Sequence, residues 1–359
     1  MFSIYIHIPY CASKCRYCDF YSRGRSNSVP FEYISALLRE LGAFYSAHGN
    51  IAADTVYLGG GTPSLLSVSQ VQQILSSIKI AQNAEITIEA NPDTVTLDTL
   101  RGYYASGCNR ISFGVQSASD TQLLTLGRTH TAQQAYNALH LAHTAGFNNI
   151  SGDIMLALPS YSYKELNDTI ALLHSSGCTH ISSYLLKIEP NTVFGKSPPP
   201  NLPTEDEAAN FYLYAVDALA KYGYAQYEIS NFAKKGFESR HNTAYWLGSD
   251  YLGLGAAAHS CVDNKRFYYS ANIQAFISGT APIQDGEYTS ADYIMLHLRL
   301  TSGLNLTELK EKYGIIWGKE KQEFIAKLVA NNLAVFTDNI LRLTPQGMLI
   351  QNSILCELI

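Results

Sequence analysis

Three of the chain's seven cysteines lie within eight positions of one another, in the segment PYCASKCRYCDFYS (residues 9–22). Cys11, Cys15 and Cys18 are separated by three and by two residues, a spacing that suits metal binding. A structural zinc site usually takes four ligands in paired groups, and the other cysteines are isolated. A redox CxxC pair would leave Cys11 unexplained. An iron–sulfur cluster uses all three thiolates and leaves one of its four irons open to a small chelating molecule.

Other small or polar residues follow apolar segments of the chain. Gly60, Gly61 and Thr62 end the segment VYLGGGT, where a glycine lets the backbone approach a ligand closely. Four polar side chains farther along the chain are also candidates. Three of them lie at or just after the end of a predicted apolar strand, and the fourth, Arg128, follows a helical stretch. These residues are Glu89, Gln116, Arg128 and Asp153. Any one of them alone is more simply explained as a capping or salt-bridge residue, so the prediction of a site depends on their shared position.

The elements that would position these residues are strands alternating with helices. Strands are predicted at 3–8, 54–60, 85–90, 110–115, 149–158 and 180–188. This alternation predicts parallel βαβ units, and six such units fit an incomplete barrel better than a closed eight-fold one. The functional groups of such barrels lie at the carboxyl ends of the strands, so we expect Cys11, Gly60, Glu89 and Gln116 to meet there.

The pattern changes after about residue 285. Helices are predicted near 290–300, 305–313 and 319–332, two short strands are predicted in AVFT and ILRLT, and a last helix follows Pro345. This order is typical of a small winged-helix-like module, a kind that often binds DNA. Residues 290–359 carry seven Lys or Arg and seven Asp or Glu, so the basic surface that phosphate binding needs is missing. We expect no nucleic-acid partner.

The predicted fold is therefore α/β, with a partial (β/α)6 barrel followed by a connecting region and a small, mostly helical, winged-helix-like domain. The predicted boundaries are 1–230, 231–285 and 286–359. The proline-rich segment KSPPPNLPTEDE (196–207) lies inside the first part. Thr204 and Glu207 there are spaced as a capping box that opens a helix.

Composition limits the function further. The 359 residues include 47% hydrophobic and 15% charged residues, as in a well-packed globular protein. The net charge of −5 does not indicate binding to nucleic acid or to an anionic membrane. No apolar run is long enough for a transmembrane segment, and an odd number of cysteines argues against a disulfide framework. We expect a cytoplasmic protein whose contact with a membrane, if any, is peripheral; its oligomeric state stays open.

The CxxxCxxC spacing, with a strand before it and GGGTP after the next strand, resembles the radical S-adenosylmethionine (SAM) superfamily. The resemblance implies that Cys11, Cys15 and Cys18 hold a [4Fe–4S] cluster, and that SAM binds the open iron through its amino and carboxylate groups. It also implies the radical SAM form of the partial barrel.

The same resemblance implies roles for the surrounding residues. The glycine backbone would meet the amino end of SAM, carboxylates would bind ribose hydroxyls or an ammonium, and Arg128 would bind a carboxylate. Tyr5 and Tyr17 resemble SAM-proximal positions, with plain packing as the alternative in a chain of 25 tyrosines. The implied SAM-binding residues are Tyr5, Tyr17, Gly60, Gly61, Thr62, Glu89, Gln116, Arg128 and Asp153.

Longer matches narrow the resemblance to the oxygen-independent coproporphyrinogen III oxidase family. They include YIHIPYCASKCRYCDF, VYLGGGTPSLL, IEANPD, RISFGVQS, LRLTSGLNL and LRLTPQG. The true oxidases of that family, radical SAM decarboxylases of porphyrinogen propionates, carry a fourth cysteine in CxxxCxxCxC. The HemW-type branch carries Phe at that position, as Phe20 does here. This residue argues against the oxidase activity and favours a haem chaperone, with haem as cargo and haem-receiving proteins as partners; whether the chain is an enzyme stays open.

The segment HNTAYW agrees with the HemW-type branch. His241, Asn242, Tyr245 and Trp246 match the HNxxYW pattern that this branch associates with haem binding. Imidazole and tyrosinate can ligate iron, and an indole face can cover a porphyrin. Without the resemblance, we would expect His241 to cap or pack and Trp246 to fill the core. Two more histidines, His7 and His259, lie in apolar settings that are more typical of core residues, and either is a possible ligand.

Three functions therefore compete. The first is a haem chaperone with a SAM-bound [4Fe–4S] cluster. The second is a coproporphyrinogen oxidase that cleaves SAM and abstracts hydrogen from a propionate. The third is a regulatory protein whose cluster senses oxygen and whose C-terminal module contacts partners. Phe20 and HNTAYW favour the first over the second, and the balanced charge of 290–359 argues against a DNA-binding form of the third.

Overall fold

The computed structural model describes all of residues 1–359. Its strands are β1 Phe2–Ile8, β2 Ala53–Gly60, β3 Ile80–Ala90, β4 Arg110–Gln116, β5 Asn149–Leu156, β6 His180–Leu185, β7 Ala225–Glu228, β8 Asn231–Ala233, β9 Asp250–Leu254, β10 His259–Val262, β11 Lys265–Tyr268, β12 Ile283–Glu287, β13 Leu304–Asn305, β14 Ala334–Thr337 and β15 Ile340–Leu343. Strands β1 to β6 pair in parallel and in sequence order. All six predicted strands are thus confirmed, although two end earlier than predicted: β5 at Leu156, where Ala157 follows with a φ of 55°, and β6 at Leu185.

Most of the helices begin at a polar side-chain cap that the sequence provides. The helices are α1 Phe31–His48, α2 Val68–Ser77, α3 Leu97–Ala105, α4 Asp120–Leu126, α5 Ala132–Ala145, α6 Tyr163–Ser175, α7 Val193–Lys196, α8 Glu205–Lys221, α9 Arg240–Trp246, α10 Ile273–Ile277, α11 Ser290–His297, α12 Leu306–Tyr313, α13 Lys319–Ala330, α14 Pro345–Leu349 and α15 Gln351–Leu358. The predicted capping box is present, since Thr204 and Glu207 satisfy each other's backbone N–H groups.

The large sheet has 12 strands in the order β12-β11-β10-β9-β1-β2-β3-β4-β5-β6-β8-β7. It is open, because β12 and β7 form its two edges. The predicted α/β fold with a partial (β/α)6 barrel is confirmed, and the sheet is longer than predicted. Strand β9 pairs in parallel with β1, and β8 pairs antiparallel with β6. The segment predicted as a connection, 231–285, therefore adds strands to both sides of the barrel.

The C-terminal part forms the predicted small helical domain with a three-stranded sheet, in the order β13-β15-β14. Strands β14 and β15 turn at Asp338 and Asn339, whose φ angles of 54° and 58° suit the tight hairpin that Asp and Asn favour. Fifteen buried residues form the core of this domain, separate from the main core of 59. The division at 1–230, 231–285 and 286–359 stays a prediction. No helix has the length and apolarity that crossing a membrane requires.

Candidate functional site

A cavity of about 510 Å³ lies at the carboxyl ends of the parallel strands. We call it the cluster cavity because all three cysteines of the CxxxCxxC loop line it. The predicted residues that also line it are Tyr17, Gly60, Gly61, Thr62, Glu89, Gln116, Arg128 and Asp153. The structure therefore brings together every predicted cluster or SAM residue except Tyr5. Residues that sequence reasoning missed, among them Asn91, Ser112 and Tyr184, line it as well.

The cysteine loop is anchored to the barrel by its backbone. Cys11 N–H donates to the Arg23 carbonyl and Arg16 N–H donates to the Leu126 carbonyl, both at 3.0 Å. The three thiols do not converge as ligands of one metal ion, whereas each thiolate of an iron–sulfur cluster binds its own iron. Burial raises the pKa of the Cys18 thiol to about 11. Metal binding at this loop would therefore release a proton.

Arg128 connects the cysteine loop to two neighbouring strands. Its Nη1 lies 3.4 Å from Cys15 Sγ, and its Nη2 donates to Asn91 Oδ1 and to the Gly114 carbonyl, both at 2.7 Å. Asn91 Nδ2 in turn donates to Thr62 Oγ1 (3.1 Å). The motif IEANPD contains the signal for Asn91, since the asparagine directly follows β3. A half-buried guanidinium is thus held next to the loop that would carry the cluster.

The glycine triplet after β2 is required by packing within the protein. A Cβ on Gly60 would lie 2.5 Å from His7 Nδ1, and φ at this glycine is 112°. A Cβ on Gly61 would lie 2.7 Å from the Tyr10 carbonyl oxygen. The sequence predicts that the missing Cβ atoms make room for a ligand. In the structure, protein atoms already occupy the space next to these glycines, so the triplet fixes the backbone at the cavity wall.

This packing gives a stability prediction. Gly61→Ala should lower the free energy of unfolding by about 1–3 kcal/mol, because the new Cβ meets backbone atoms that cannot move away easily. Urea denaturation followed by circular dichroism measures the change. Gly42→Ala is the matched control, since Gly42 lies within α1 with open space around it, and there alanine should be neutral or stabilising. Equal stability of the two variants would contradict the packing explanation.

Two carboxylates that the sequence predicts as site residues line the cluster cavity. Glu89 accepts hydrogen bonds from the Tyr57 hydroxyl (2.7 Å) and from Gly60 N–H (3.0 Å). Burial raises the pKa of Glu89 to about 7, against the opposing effect of the Tyr57 hydrogen bond. Asp153 accepts from the Ser112 hydroxyl (3.2 Å), and burial raises its pKa too. Glu89 is therefore a group whose charge changes near neutral pH.

Gln116 and Tyr17 complete this side of the cavity. Gln116 ends β4 with a φ of 67°, a left-handed conformation that is uncommon for a residue other than glycine. Burial raises the pKa of Tyr17 far above its usual value, so its hydroxyl stays protonated. Both residues lie where the sequence placed them, beside the cysteine loop and the strand ends.

A second cavity, of about 500 Å³, adjoins the first, and we call it the aromatic cavity. Phe20 lines both cavities, and its side chain is 70% exposed. Predicted residues found here are Tyr5, Tyr245 and Trp246. Tyr5 thus lies on the aromatic cavity instead of the cluster cavity. Much of the remaining lining comes from positions that the sequence did not single out, among them Tyr21, Tyr251, Cys261, Arg266, Tyr288, Asp292 and Met295.

His241 lies behind this cavity, not on it. The side chain is 1% exposed. Its Nδ1 lies 2.7 Å from the Thr55 hydroxyl, and its Nε2 lies 2.8 Å from the Tyr245 hydroxyl. Burial, and then Arg110, lower the pKa of His241 to about 3. The expected shared helix face of His241 and Tyr245 is present, but both ring nitrogens of the histidine are engaged. Asn242 does not line either of the two cavities.

Comparisons with protein families agree with this geometry. The family model of the radical SAM superfamily matches residues 5–173, and that of the HemN C-terminal domain matches residues 292–350. The crystal structure of coproporphyrinogen III oxidase (HemN) from Escherichia coli superposes with a TM-score of 0.84 over 99% of this chain and 89% of that one. At 20% identity this likeness shows the fold.

Curated relatives are more similar. The "Heme chaperone HemW" proteins of Haemophilus influenzae and Bacillus subtilis are 34% and 33% identical to this chain, over 98% and 99% of its length and 96% and 98% of theirs. The Escherichia coli protein of that name is 42% identical over 72% of this chain and 70% of its own. Membership in the radical SAM superfamily implies SAM and a [4Fe–4S] cluster as cofactors. The chain thus belongs to the HemW family within the radical SAM superfamily.

Proposed function

We propose that this chain is a haem chaperone that binds haem in the aromatic cavity, holds a SAM-bound [4Fe–4S] cluster in the cluster cavity, and delivers the haem to recipient proteins. The names of its full-length relatives support the haem cargo. The observation that carries the proposal is the pair of adjoining cavities, one lined by the three cysteines and one lined by aromatic side chains.

The cluster cavity fits its cofactors by the chemistry of its donors. Cys11, Cys15 and Cys18 would hold the cluster, and Arg128 would balance its negative charge beside Cys15. Glu89 and the Gly60–Gly61 backbone lie together, as binding of the amino end of SAM would require. The remaining predicted residues, Tyr17, Thr62, Gln116 and Asp153, would contact the rest of SAM. A bound cluster with SAM would supply one-electron chemistry or a redox-sensitive gate for haem release.

The aromatic cavity fits a porphyrin in size and character. Its volume of about 500 Å³ is within the roughly 300–1,000 Å³ of small-molecule sites. Tyr245 and Trp246 give it the aromatic faces that stack on a macrocycle. Trp246 is held in place by Arg299, whose guanidinium lies 4.2 Å from the indole ring. Of the four predicted haem residues, Tyr245 and Trp246 would contact haem. His241 and Asn242 lie on the same helix, α9, and would only help to position it.

Phe20 lies between the two cavities. The oxidases that the chain resembles carry a cysteine at this position, and here a phenyl ring replaces its thiol. An exposed phenyl ring at this boundary would contact a porphyrin through its apolar face. The second candidate function is coproporphyrinogen oxidation, the reaction of the oxidases whose fold this chain shares over 99% of its length. Fold alone does not establish a reaction, and Phe20 argues against this one.

Two assays on one anaerobically reconstituted preparation test the proposal. Titration with haem should give a saturating Soret change at one haem per chain. Incubation with SAM, a reductant and coproporphyrinogen should give no protoporphyrinogen. Robust formation of protoporphyrinogen would overturn the chaperone proposal in favour of the oxidase, and so would the absence of haem binding.

The position of His241 gives a separate prediction. His241→Ala should lower the free energy of unfolding by about 2–4 kcal/mol, because it removes a buried ring and leaves the Tyr245 hydroxyl without its partner. The Thr55 hydroxyl loses its contact with His241 but keeps its hydrogen bond to the Ser3 hydroxyl (2.9 Å). The Soret spectrum of the folded, haem-bound variant should stay the same as that of the wild type. Thermal unfolding and absorbance spectra measure both effects. Loss of the Soret shift in a folded His241→Ala protein would identify His241 as the iron ligand and contradict this assignment.

This proposal also indicates which partners the chain would meet. The recipient would be a haem-requiring protein that meets the chain at the mouth of the aromatic cavity. The C-terminal residues 286–359 would be a partner-facing domain without a role in nucleic-acid binding, in keeping with their balanced charge. We place the protein in the cytoplasm, where its cysteine thiols would stay reduced.

A further inference from the structure

Two histidines line the aromatic cavity, His7 and His259. The imidazole of His7 is fully engaged with the protein. Its Nδ1 lies 2.9 Å from the Tyr5 hydroxyl, and its Nε2 lies 2.9 Å from the Tyr21 carbonyl oxygen. A histidine can ligate iron only through a ring nitrogen with a free lone pair. His7 is therefore a structural residue that supports the floor of the cavity.

His259 differs from His7 in each of these respects. It begins β10 with an exposed side chain, and neither of its ring nitrogens has a hydrogen-bond partner in the protein. Its ring is stacked on the Tyr268 ring, with centroids 5.0 Å apart and planes at 19°. Stacking on a strand neighbour limits the rotation of the imidazole without using either nitrogen. The side chain is thus oriented and also free to bind a ligand.

We propose that His259 supplies the imidazole nitrogen that ligates the iron of haem bound in the aromatic cavity. This inference rests on the proposed haem-binding function and assigns an iron ligand outside the HNTAYW segment. The coordinate bond forms between the ring lone pair and iron, with no change in oxidation state. The strand pairing of His259 with Tyr268 fixes the start of β10 at the cavity.

Other groups on the cavity wall are less suited to bind iron. Cys261 is buried, and burial raises the pKa of its thiol, so the thiolate that iron prefers is disfavoured. Tyr245 has its hydroxyl at Nε2 of His241, and burial raises its pKa well above the usual value. Burial likewise raises the pKa of Tyr251 to about 12. These groups are neutral at physiological pH, whereas a neutral imidazole needs no deprotonation to bind iron.

The cavity also holds hydrogen-bond donors suited to the two carboxylates of haem. Trp246 Nε1, Arg266 Nε and the Tyr288 hydroxyl are buried and have no acceptor within the protein. All three residues line the aromatic cavity. The carboxylate of Asp292 lies 2.8 Å from Arg266 Nη1, so it already balances much of the arginine's charge. The propionates would therefore gain hydrogen bonds at these donors but little attraction to a net positive charge. This contributes less to haem affinity than an iron ligand does.

An anaerobic titration with ferric haem tests the proposal, using absorbance and electron paramagnetic resonance. His259→Ala should weaken haem affinity at least about tenfold and remove the histidine-ligated spectrum. Added free imidazole should restore that spectrum in this variant, a rescue that a merely structural defect would not show. His259→Met should give a new, methionine-ligated spectrum. His140→Ala is the matched control, because His140 is also exposed and close to a tyrosine ring, but lies on α5 away from the cavity.

Each outcome separates this inference from the proposed function. If wild-type protein binds no haem, the proposed function fails. If wild-type protein binds haem and His259→Ala, correctly folded by circular dichroism, keeps the same spectrum and affinity, the ligand assignment alone is overturned. A spectrum that instead changes in Cys261→Ser would assign iron ligation to the thiolate and would also overturn it. Loss of the spectrum in His259→Ala, with rescue by imidazole, supports the assignment.

Discussion

Replacing Cys11, Cys15 and Cys18 together by serine should remove essentially all cluster iron and sulfide from the reconstituted protein. The three thiolates are the proposed protein ligands of the cluster, and serine hydroxyls do not replace them at neutral pH. SAM binding should fall with the cluster, because the open iron would be its main anchor. Iron and sulfide analysis after anaerobic reconstitution, with equilibrium dialysis of labelled SAM, measures both losses.

Cys356→Ser is the control for this experiment, since Cys356 is exposed on α15, far along the chain from the loop. It should keep the full iron content and SAM affinity. The fold of the triple variant should survive, because the loop is anchored by backbone hydrogen bonds such as Cys11 N–H to the Arg23 carbonyl. A folded triple variant that still holds four irons per chain would contradict the assignment of the ligands.

Glu89→Gln should weaken SAM binding by about 10- to 100-fold above neutral pH, the range expected for losing a hydrogen bond to a charged group. In the wild type, SAM affinity should rise as pH increases through about 7, where Glu89 becomes charged, and then level off. The variant should lack this rise. Isothermal titration calorimetry across pH 6 to 8 measures the dependence.

Glu189→Gln is the matched control, because Glu189 also lines the cluster cavity but is paired with Lys187 (2.6 Å) near solvent. It should keep the rise in SAM affinity. The carboxyl of Glu89 affects the stability of the fold in the opposite direction: stability falls, whereas SAM affinity rises, as the pH increases. The pKa of Glu89 in the folded protein, about 7, lies above its ordinary value of 4.5, so the contribution of this carboxyl to stability is complete below pH 4.5 and is lost as pH rises through 7. A pH-independent SAM affinity in the wild type would show that Glu89 does not contact SAM.

Much of the fold could be predicted from the sequence, because its signals are local. β-branched runs gave the six parallel strands, and Thr204 with Glu207 gave the start of α8. The strands at the two sides of the sheet could not be predicted in the same way. They are three to five residues long, and β8 and β9 pair with β6 and β1 across long separations in the chain. Such pairings leave no local pattern.

The two cavities also differ in how much of their lining local sequence signals can predict. Most of the predicted residues of the cluster cavity lie at or just after the ends of predicted strands, so parallel topology brings them together. Arg128 is the exception, since it follows α4. The aromatic cavity draws its lining from positions between Tyr5 and Leu296, and no motif connects them. The hydrogen-bond partners of His241 could not be predicted from the sequence either, since Thr55 lies 186 positions away. Motif matching identified the segment, but only the tertiary structure shows that its histidine is already satisfied.

Haem and the cluster would occupy separate cavities of one chain. An anaerobic haem titration of the wild-type protein beside the Cys11→Ser, Cys15→Ser, Cys18→Ser variant tests this most directly. We predict that both proteins bind one haem per chain with similar affinity, because none of the three cysteines lines the aromatic cavity. A wild-type protein that binds no haem, or a folded variant that loses haem together with its cluster, would contradict the account.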